Sequence, residues 1–275
     1  MADTANEAAP FVDFQDVWLA YNEELLRANH FAVEAIDLKV RRGEFIAIVG
    51  PSGCGKSTFM KLTTGLKMPS MGRIRIDGQP VTGPLKISGM AFQAPSLLPW
   101  RTTVDNVLLP LEIVEPYRSN FKARRKAYEE RARRLLQKVG LGGYEDKFPW
   151  QLSGGMQQRA QIARCLAQKP ELMMMDEPFG ALDALTRQSL QDELARLVRE
   201  DGLTVLFVTH DLEEAIYLGD RVIALQANPG PGRPSLARMI DVKIPRPRDQ
   251  LTTKEHPDYL RLRRELFAFI EHGHD

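Results

Sequence analysis

Four short segments of the chain are apolar almost throughout, at residues 45–49, 172–175, 204–208 and 221–225. Apolar runs of this length, bounded by turn residues, are typical of strands buried inside a sheet. Residues 11–21, 35–40 and 73–76 instead alternate apolar and polar side chains, which predicts strands with one exposed face. Two further strands are predicted at residues 87–92 and 239–244, the second of them an edge strand.

Helical patterns separate several of these strands. The predicted helices cover residues 58–64, 119–139, 157–168, 184–200 and 212–218, and residues 22–30 are predicted to form a loop or a helical turn. Near the C-terminus four apolar residues recur at helical spacing: Tyr259, Leu262, Leu266 and Ile270. They predict an amphipathic helix whose apolar stripe packs into the core or against a partner.

The helix predicted over residues 119–139, with Ser119 as its N-cap, carries eight lysine and arginine residues. Glu129 and Glu130 interrupt this positive charge. The helix also has an apolar side, formed by Ala127, Leu135, Leu136 and Val139. We therefore interpret the basic residues as a solvated helix face rather than a nucleic-acid patch.

The composition is that of an ordinary globular protein, with 43% hydrophobic and 27% charged residues and a net charge of +1. Cys54 and Cys165 form no C-x-x-C pair and have no metal-ligand spacing, so two reduced thiols are expected. No apolar run approaches the roughly 18–20 residues of a membrane span, and no secretory signal is expected. A role at the membrane would therefore require a partner.

The first candidate functional motif begins where the apolar run at residues 45–49 ends. The pattern G-x-x-x-x-G-K-[ST] follows it and precedes a predicted helix. It comprises Gly50, Pro51, Ser52, Gly53, Cys54, Gly55, Lys56, Ser57 and Thr58. Glycines let successive backbone N–H groups point at one anion, and the helix N-terminus adds positive potential. Lys56 is expected to reach the β- and γ-phosphates, and the Ser57 hydroxyl to ligate Mg²⁺.

Other polar residues follow the predicted strands. Asp176 and Glu177 end the run at residues 172–175, and adjacent carboxylates there are costly unless they face a cation or a reaction. Asp176 fits a Mg²⁺ ligand and Glu177 a general base. Gln93 and His210 also follow strands, and the carboxyl ends of strands are where open α/β sheets bind ligands.

Ser153, Gly154 and Gly155 begin a predicted helix and form a second candidate anion site, or a glycine-rich N-cap. Tyr21, shortly before the phosphate loop, could stack on a nucleobase or simply cover the core. Residues 96–100 form an apolar loop, and Thr103 is expected to cap a short helix after it.

These motifs, in this order, resemble the ATP-binding subunit of an ABC transporter over residues 11–225. The resemblance rests on the phosphate loop, Gln93, residues 152–157, residues 172–177, residues 181–183 and His210. It implies an α/β, RecA-like P-loop NTPase core, an antiparallel β subdomain and a helical subdomain inserted at about residues 94–155. Residues 226–275 would form a C-terminal extension with a strand and an amphipathic helix.

Residue roles are implied by the resemblance, with ATP and Mg²⁺ as cofactors. Glu177 would polarise the attacking water, and His210 would hold the γ-phosphate. Magnesium would be held by Ser57, Gln93 and Asp176. A second copy would contact the nucleotide through its signature segment, Ser153, Gly154, Gly155, Met156 and Gln157, and Asp183 would communicate across that dimer. Tyr21 would stack on the adenine, with Trp18 as the alternative because the connection at residues 22–31 looks long for the family.

Partners are implied as well. Residues 96–107 and 244–248 resemble the nitrate, sulfonate and taurine importer subgroup, which implies a membrane permease and, through the complex, an extracytoplasmic solute-binding protein. Leu97, Leu98 and Trp100 would line a groove for the permease. A homodimer on the cytoplasmic face of the inner membrane is expected, with a heterodimer open and no nucleic acid. The alternatives are a non-transport ABC ATPase acting on nucleic acid or the ribosome, and a P-loop kinase. The transported solute is not identified by this sequence.

Overall fold

The computed structural model describes residues 9–227 and 233–272. In chain order the strands and helices of these residues are β1 (Val12–Leu19), α1 (Glu23–Arg27), β2 (Val33–Val40), β3 (Phe45–Val49), α2 (Lys56–Thr63), β4 (Met71–Ile76), β5 (Gln79–Pro80), β6 (Ser88–Ala91), α3 (Thr103–Ile113), α4 (Tyr117–Lys138), α5 (Gly154–Leu166), β7 (Leu172–Asp176), α6 (Ala184–Asp201), β8 (Thr204–Val208), α7 (Leu212–Leu218), β9 (Arg221–Leu225), β10 (Leu236–Asp241), α8 (Thr252–Glu255) and α9 (Pro257–His272). They form two compact units, one from the described residues before 86 and after 207 and one from residues 86–207. The domain limits given above stay a prediction.

The first unit contains an antiparallel sheet in the order β2-β1-β4-β5. The turn between β4 and β5 is made by Asp77 and Gly78, both with positive φ, as a two-residue hairpin requires. On the inner face of β1, Phe14 stacks on Phe59 of α2 with ring centroids 4.8 Å apart. The alternating strands predicted for this region are confirmed, and their buried face packs on the helix that follows the phosphate loop.

In the same unit β9 pairs in parallel with β3, and β10 pairs antiparallel with β9. The C-terminal helix α9 buries Tyr259, Leu262 and Leu266 against a core that includes residues of β3, α7 and β9. The predicted amphipathic helix is therefore confirmed as a core element. β10 begins and ends earlier than predicted because its pairing with β9 runs from Leu236 to Asp241.

The second unit has β6 parallel to β7, and three helices, α3, α4 and α5, pack on one another. Met173, Met174 and Met175 of β7 are fully buried, as the apolar run predicted. None of the helices in the described parts of the chain combines the length and the apolar composition that a bilayer span requires.

Three details of the helical region were predicted wrongly. Helix α4 begins at Tyr117, so Ser119 lies inside the helix rather than at its N-cap, and its hydroxyl donates to Glu115 Oε2 at 2.6 Å. Tyr128 is buried on the apolar side of α4, whereas Ala127 is exposed. The N-cap of α3 is Thr102, whose hydroxyl accepts from Asp105 N at 3.3 Å, rather than Thr103.

Candidate nucleotide-binding site

The glycine-rich loop joins the buried strand β3 to helix α2 in the first unit. Gly50, Gly53 and Gly55 all have positive φ, at 154°, 81° and 95°. A Cβ on Gly50 would lie 2.5 Å from Leu225 O, and one on Gly55 would lie 2.6 Å from Val33 Cγ1. These two glycines are therefore required both by backbone conformation and by close packing.

Gly53 differs from the other two glycines because a Cβ there would meet nothing within 4 Å. The loop is open on that side, where an anion could approach its backbone N–H groups. The Lys56 ammonium closes the loop from within, donating to Gly50 O at 2.8 Å and to Pro51 O at 2.9 Å. The loop thus places a cation beside backbone donors at a helix N-terminus, which suits a phosphate chain.

Magnesium bound with nucleotides usually keeps few protein ligands, because phosphate oxygens and water supply the rest. Ser57 lies in the first turn of α2 with its side chain exposed, which fits such a shared ion. Across residues 9–227 and 233–272 no group of three or more His, Cys, Asp or Glu side chains could hold a metal ion by itself.

A cavity of about 300 Å³ opens beside the phosphate loop in the first unit. Its lining combines loop residues with the connection between β1 and β2 and with the chain after β9: Tyr21, Leu25, His30, Phe31, Ala32, Gly53, Cys54, Gly55, Thr58, Gln226, Ala227 and Ser235. An aromatic ring and apolar walls next to a phosphate-binding loop are what a nucleobase needs.

Tyr21 and Trp18 have different positions in this unit. The Tyr21 hydroxyl lies 2.8 Å from Thr58 Oγ1, so the ring is tied to the first turn of α2 and lines the cavity. The Trp18 indole donates to Asp16 Oδ1 at 2.7 Å and packs edge-on against Phe31. Trp18 is not part of the cavity lining.

Cys54 is buried within the loop, and its burial raises the pKa of its thiol. A Cβ on Gly50 would lie 2.7 Å from Cys54 Sγ, so the sulfur packs directly against the loop backbone. The thiol is therefore protonated at neutral pH and supports the loop from its inner side.

The second unit holds Gln93, Asp176 and Glu177. Glu177 follows β7 with φ at 46°, a left-handed conformation that costs a non-glycine residue about 1–3 kcal/mol and often marks a functional position. Gln93 Nε2 donates to Glu177 Oε2 at 3.4 Å, so the structure brings these two predicted residues together. Asp176 and Glu177 are both partly buried.

The signature segment begins helix α5 in the second unit. Ser153 is its N-cap, with Oγ accepting from Met156 N at 3.3 Å. A Cβ on Gly155 would lie 2.6 Å from Thr186 Cγ2, so a glycine is needed where α5 meets the first turn of α6. The Gln157 amide donates to Pro149 O and Leu152 O and holds the turn before the helix. Its contribution to nucleotide binding stays a prediction.

Asp183 is the N-cap of α6 and accepts from Thr186 N at 3.0 Å. The hydrogen bonds from the Thr186 side chain and backbone lower the pKa of the Asp183 carboxyl. Because Gly155 packs against Thr186, Asp183 and the signature segment belong to one local arrangement. Their predicted role between two copies stays a prediction.

His210 lies in the first unit two residues after the end of β8, and its side chain is exposed. The residue before it, Thr209, is buried and donates from N to Ile48 O of β3 at 3.1 Å and from Oγ1 to Glu214 Oε2 at 2.6 Å. The residue after it, Asp211, is the N-cap of α7. His210 is therefore presented by a short turn fixed on both sides.

Several residues of the cavity were not predicted from the sequence, among them Leu25, His30, Gln226 and Ser235. Leu25 lies on α1, a five-residue helix capped by Asn22, which the sequence indicated only as a loop or a helical turn. The capping pattern of Asn22 was available as a signal. Gln226 and Ser235 join the cavity through strand pairing far along the chain, for which the sequence gives no local signal.

Comparison with known proteins is consistent with this geometry. A family model described as ABC transporter matches residues 33–180. The chain is 44% identical over 242 residues to the bicarbonate transport ATP-binding protein CmpC of Synechococcus elongatus, over 88% of this chain and 35% of that protein. It is 40% identical over 244 residues to the nitrate import ATP-binding protein NrtD of the same species, over 89% of this chain and 86% of that protein. The chain thus spans about a third of the length of CmpC.

Among solved structures, the chain is similar to the dimeric, post-hydrolysis ATP-binding cassette MJ0796 bound to ADP and Pi. The identity is 30% and the TM-score 0.67, over 85% of this chain and 99% of that chain.

Proposed function

The chain belongs to the ABC transporter family, and on that premise we propose that it binds and hydrolyses ATP to drive import of a small solute through a separate membrane permease. Its fold is that of the ABC ATPase cassettes, so the fold class predicted from the sequence is confirmed. The observation that carries the proposal is the phosphate loop with its adjoining cavity. The loop, Lys56 and the N-terminus of α2 supply groups for the phosphates of a nucleotide, and Tyr21 supplies a ring for its base.

For binding, the N–H groups of the loop and the Lys56 ammonium would hold the phosphates, and the Tyr21 ring would stack on the adenine. Stacking of this kind contributes about 1–3 kcal/mol per base. We propose Tyr21 rather than Trp18 because Tyr21 lines the cavity and is anchored to Thr58. Magnesium, when bound, would neutralise charge on the phosphates, and Ser57, Gln93 and Asp176 are its proposed protein ligands.

For hydrolysis, the Glu177 carboxylate would take a proton from the attacking water, and His210 would donate to the γ-phosphate. The hydrogen bond from Gln93 to Glu177 supports an oriented carboxylate. A positioned general base contributes roughly 10²–10⁴ in rate. The strained backbone at Glu177 supports this role, because such strain is found where function requires a side chain to point in one direction.

The nucleotide-binding proposal is tested by the variant Lys56→Ala. The wild-type chain should release inorganic phosphate from MgATP, and the variant should fall to background because the ammonium beside the loop is lost. Lys61→Ala is the matched control, since Lys61 lies on the same helix with an exposed side chain. Equal activity of Lys56→Ala and the wild-type chain would contradict the proposal.

Two copies of the chain are proposed to form the active ATPase. The capped helix at Ser153, together with Gly154, Gly155, Met156 and Gln157, would contact the nucleotide of the second copy, and Asp183 would lie near that contact. Support comes from Gly154, where an added Cβ would meet nothing within 4 Å, so the start of α5 has an open side that a ligand could approach. The homodimer is the simpler assembly, since the chain has both halves of such a composite site.

The permease is proposed to bind the loop at residues 96–100. Trp100 is 70% exposed, although the loop that carries it is held by several hydrogen bonds. The buried Asn106 side chain accepts from Leu98 N at 2.7 Å and donates to the carbonyl oxygens of Leu98, Arg101 and Thr102. An exposed aromatic ring on a fixed loop suits an interface anchor, and the half-buried Leu97 and Leu98 would flank it.

Trp100→Glu tests this surface. It should abolish transport by the reconstituted complex while phosphate release by the isolated chain continues, because the loop lies outside the phosphate-binding region. Phe267→Glu changes an exposed aromatic residue on α9 and should leave transport intact. The surface is assigned wrongly if Trp100→Glu transports normally.

The solute is proposed to be a small anion of the nitrate, bicarbonate or sulfonate kind, with an extracytoplasmic binding protein in the same complex. The similarity to NrtD, a nitrate import protein, and to CmpC, a bicarbonate transport protein, supports this proposal. The chain would then act at the cytoplasmic face of the inner membrane. Co-purification of a permease from membranes would support import, whereas co-purification of nucleic acid or ribosomes would favour a non-transport ABC ATPase.

A further inference from the structure

Helix α7 begins two residues after His210 and has only seven residues. Helices this short are unstable in isolation, because the cost of nucleation is recovered only over more turns or through tertiary contacts. The contacts that hold α7 therefore decide where the preceding turn, and with it His210, is placed. Many of them come from one part of the chain, residues 244–263.

At the C-terminal end of α7, two arginines of the segment at residues 244–248 bind backbone carbonyls. Arg248 Nη1 donates to the carbonyl oxygens of Ile216, Tyr217 and Gly219, at 3.0, 2.9 and 2.7 Å. Arg246 Nη2 donates to Leu218 O at 2.6 Å. The last carbonyls of a helix have no partner within the helix, and its dipole favours positive charge there. The two guanidinium groups satisfy both requirements.

The same segment is itself fixed around Arg248. Its Nη2 donates to Val242 O at 3.4 Å and to Ile244 O at 3.3 Å, and Arg248 O accepts from the Tyr217 hydroxyl at 3.1 Å. Arg246 also pairs with Asp220 at 2.8 Å. One guanidinium thus joins the end of α7 to the chain that follows β10.

The N-terminal end of α7 is held by α8 and α9. Glu213 forms ion pairs with Lys254 Nζ at 3.3 Å and with Arg263 Nη1 at 3.2 Å. The fully buried Tyr259 donates its hydroxyl to Glu213 O at 3.4 Å. The C-terminal extension therefore contacts α7 at both of its ends.

Three hydrogen bonds join the first turn of α7 to the turn that presents His210. Asp211 Oδ1 accepts from Glu213 N at 2.8 Å and Glu214 N at 3.3 Å. Thr209 Oγ1 donates to the buried Glu214 carboxylate at 2.6 Å. Each neighbour of His210 in the chain is thus bonded to the first turn of α7, so a shift of α7 must displace His210.

We propose that Arg248 is a positioning residue for His210, and that the C-terminal extension sets the hydrolysis rate by fixing α7. This inference rests on the proposed role of His210 at the γ-phosphate. It assigns a function to the segment at residues 244–248, none of which lines the nucleotide cavity. Loss of Arg248 would let α7 and the turn at residues 209–211 move while the phosphate loop stays in place.

The test is a double-mutant cycle between His210→Ala and Arg248→Met, read as kcat and KM for MgATP. His210→Ala should lower kcat about 100-fold, the loss typical for one transition-state donor. Arg248→Met should lower kcat about tenfold and leave KM nearly unchanged. A loss of this size is typical of residues that act on a site through intervening contacts. The double variant should be no slower than His210→Ala, because Arg248 acts only through His210.

Arg261→Gln is the matched control, since Arg261 lies on α9 and, in the described structure, pairs only with the half-buried carboxylates of Asp258 and Glu265. It should retain the wild-type kcat. If Arg248→Met does not fold, Arg246→Gln and Thr209→Val interrupt the same connection at its two ends and enter the cycle in its place.

The outcomes separate this inference from the proposed function. If His210→Ala loses activity but Arg248→Met does not, the positioning role is overturned and the ATPase stands. Losses that multiply in the double variant would also overturn it, because Arg248 would then act independently of His210. If His210→Ala retains full activity, the role of His210 fails and the positioning role falls with it.

Discussion

The loop glycines allow a quantitative comparison of two alanine substitutions, Gly55→Ala and Gly53→Ala. Both residues have positive φ, so either alanine adopts a left-handed conformation at a cost of about 1–2 kcal/mol. Gly55→Ala also places a Cβ 2.6 Å from Val33 Cγ1 and 2.8 Å from Ala32 O. Overpacking of this kind costs about 1–3 kcal/mol more. Gly53→Ala has no such overlap.

We therefore expect Gly55→Ala to lower the free energy of unfolding by about 2–5 kcal/mol and Gly53→Ala by about 1–2 kcal/mol. Urea denaturation of the wild-type chain and both variants, under one set of conditions, measures the difference. Adding MgATP should stabilise Gly55→Ala less than the wild-type chain, because its loop must shift to relieve the overlap. Equal destabilisation, or a larger loss in Gly53→Ala, would refute this account of the loop.

Three further predictions follow from other contacts. Burial raises the pKa of Cys165 from 9.0 to about 12, so the thiol ionises between pH 8 and pH 10 in the unfolded chain but not in the folded one. The free energy of unfolding should therefore fall over that range by about 1.4 kcal/mol more in the wild-type chain than in Cys165→Ala. Parallel pH profiles of the two proteins would contradict this prediction. Tyr21→Ala should weaken ATP binding by about 1–3 kcal/mol, whereas Tyr21→Phe and Trp18→Ala should bind ATP as the wild-type chain does. Equilibrium titration with a fluorescent ATP analogue measures the affinities, and equal affinity of Tyr21→Ala and the wild-type chain would rule out the stacking role. Ser153→Ala should lower the free energy of unfolding by about 1 kcal/mol through loss of the α5 cap, and Ser153→Asn should restore the cap. Thermal denaturation measures both variants, and an unchanged midpoint temperature in Ser153→Ala would contradict the prediction.

Strands and helices bounded by clear signals could be predicted from the sequence. The limits of β3, β8, α7 and β9 agree with the predicted ones, because each is a short apolar or helical segment between turn residues. The phosphate loop could be predicted because its residues are adjacent in the chain. Local physical chemistry, in the form of glycine conformation and helix capping, determines its shape.

Features that depend on distant parts of the chain could not be predicted. Tyr128, not Ala127, faces the core of the second unit, since the exact turn of α4 is set by what packs against it. Residues 244–248 gave no sign that Arg248 would bind the carbonyls at the end of α7. Such contacts are determined by the approach of segments far apart in sequence, which periodicity does not encode.

Glu177→Gln tests the central claim most directly, because glutamine keeps the shape of the side chain but cannot accept a proton from water. MgATP should bind to this variant with nearly wild-type affinity, and phosphate release should fall at least about 100-fold. With hydrolysis blocked, MgATP should convert the variant to a dimer in size-exclusion chromatography with light scattering. Phosphate release at the wild-type rate, with a mass that does not respond to MgATP, would contradict the claim that this chain is a dimeric ATPase with Glu177 as its base.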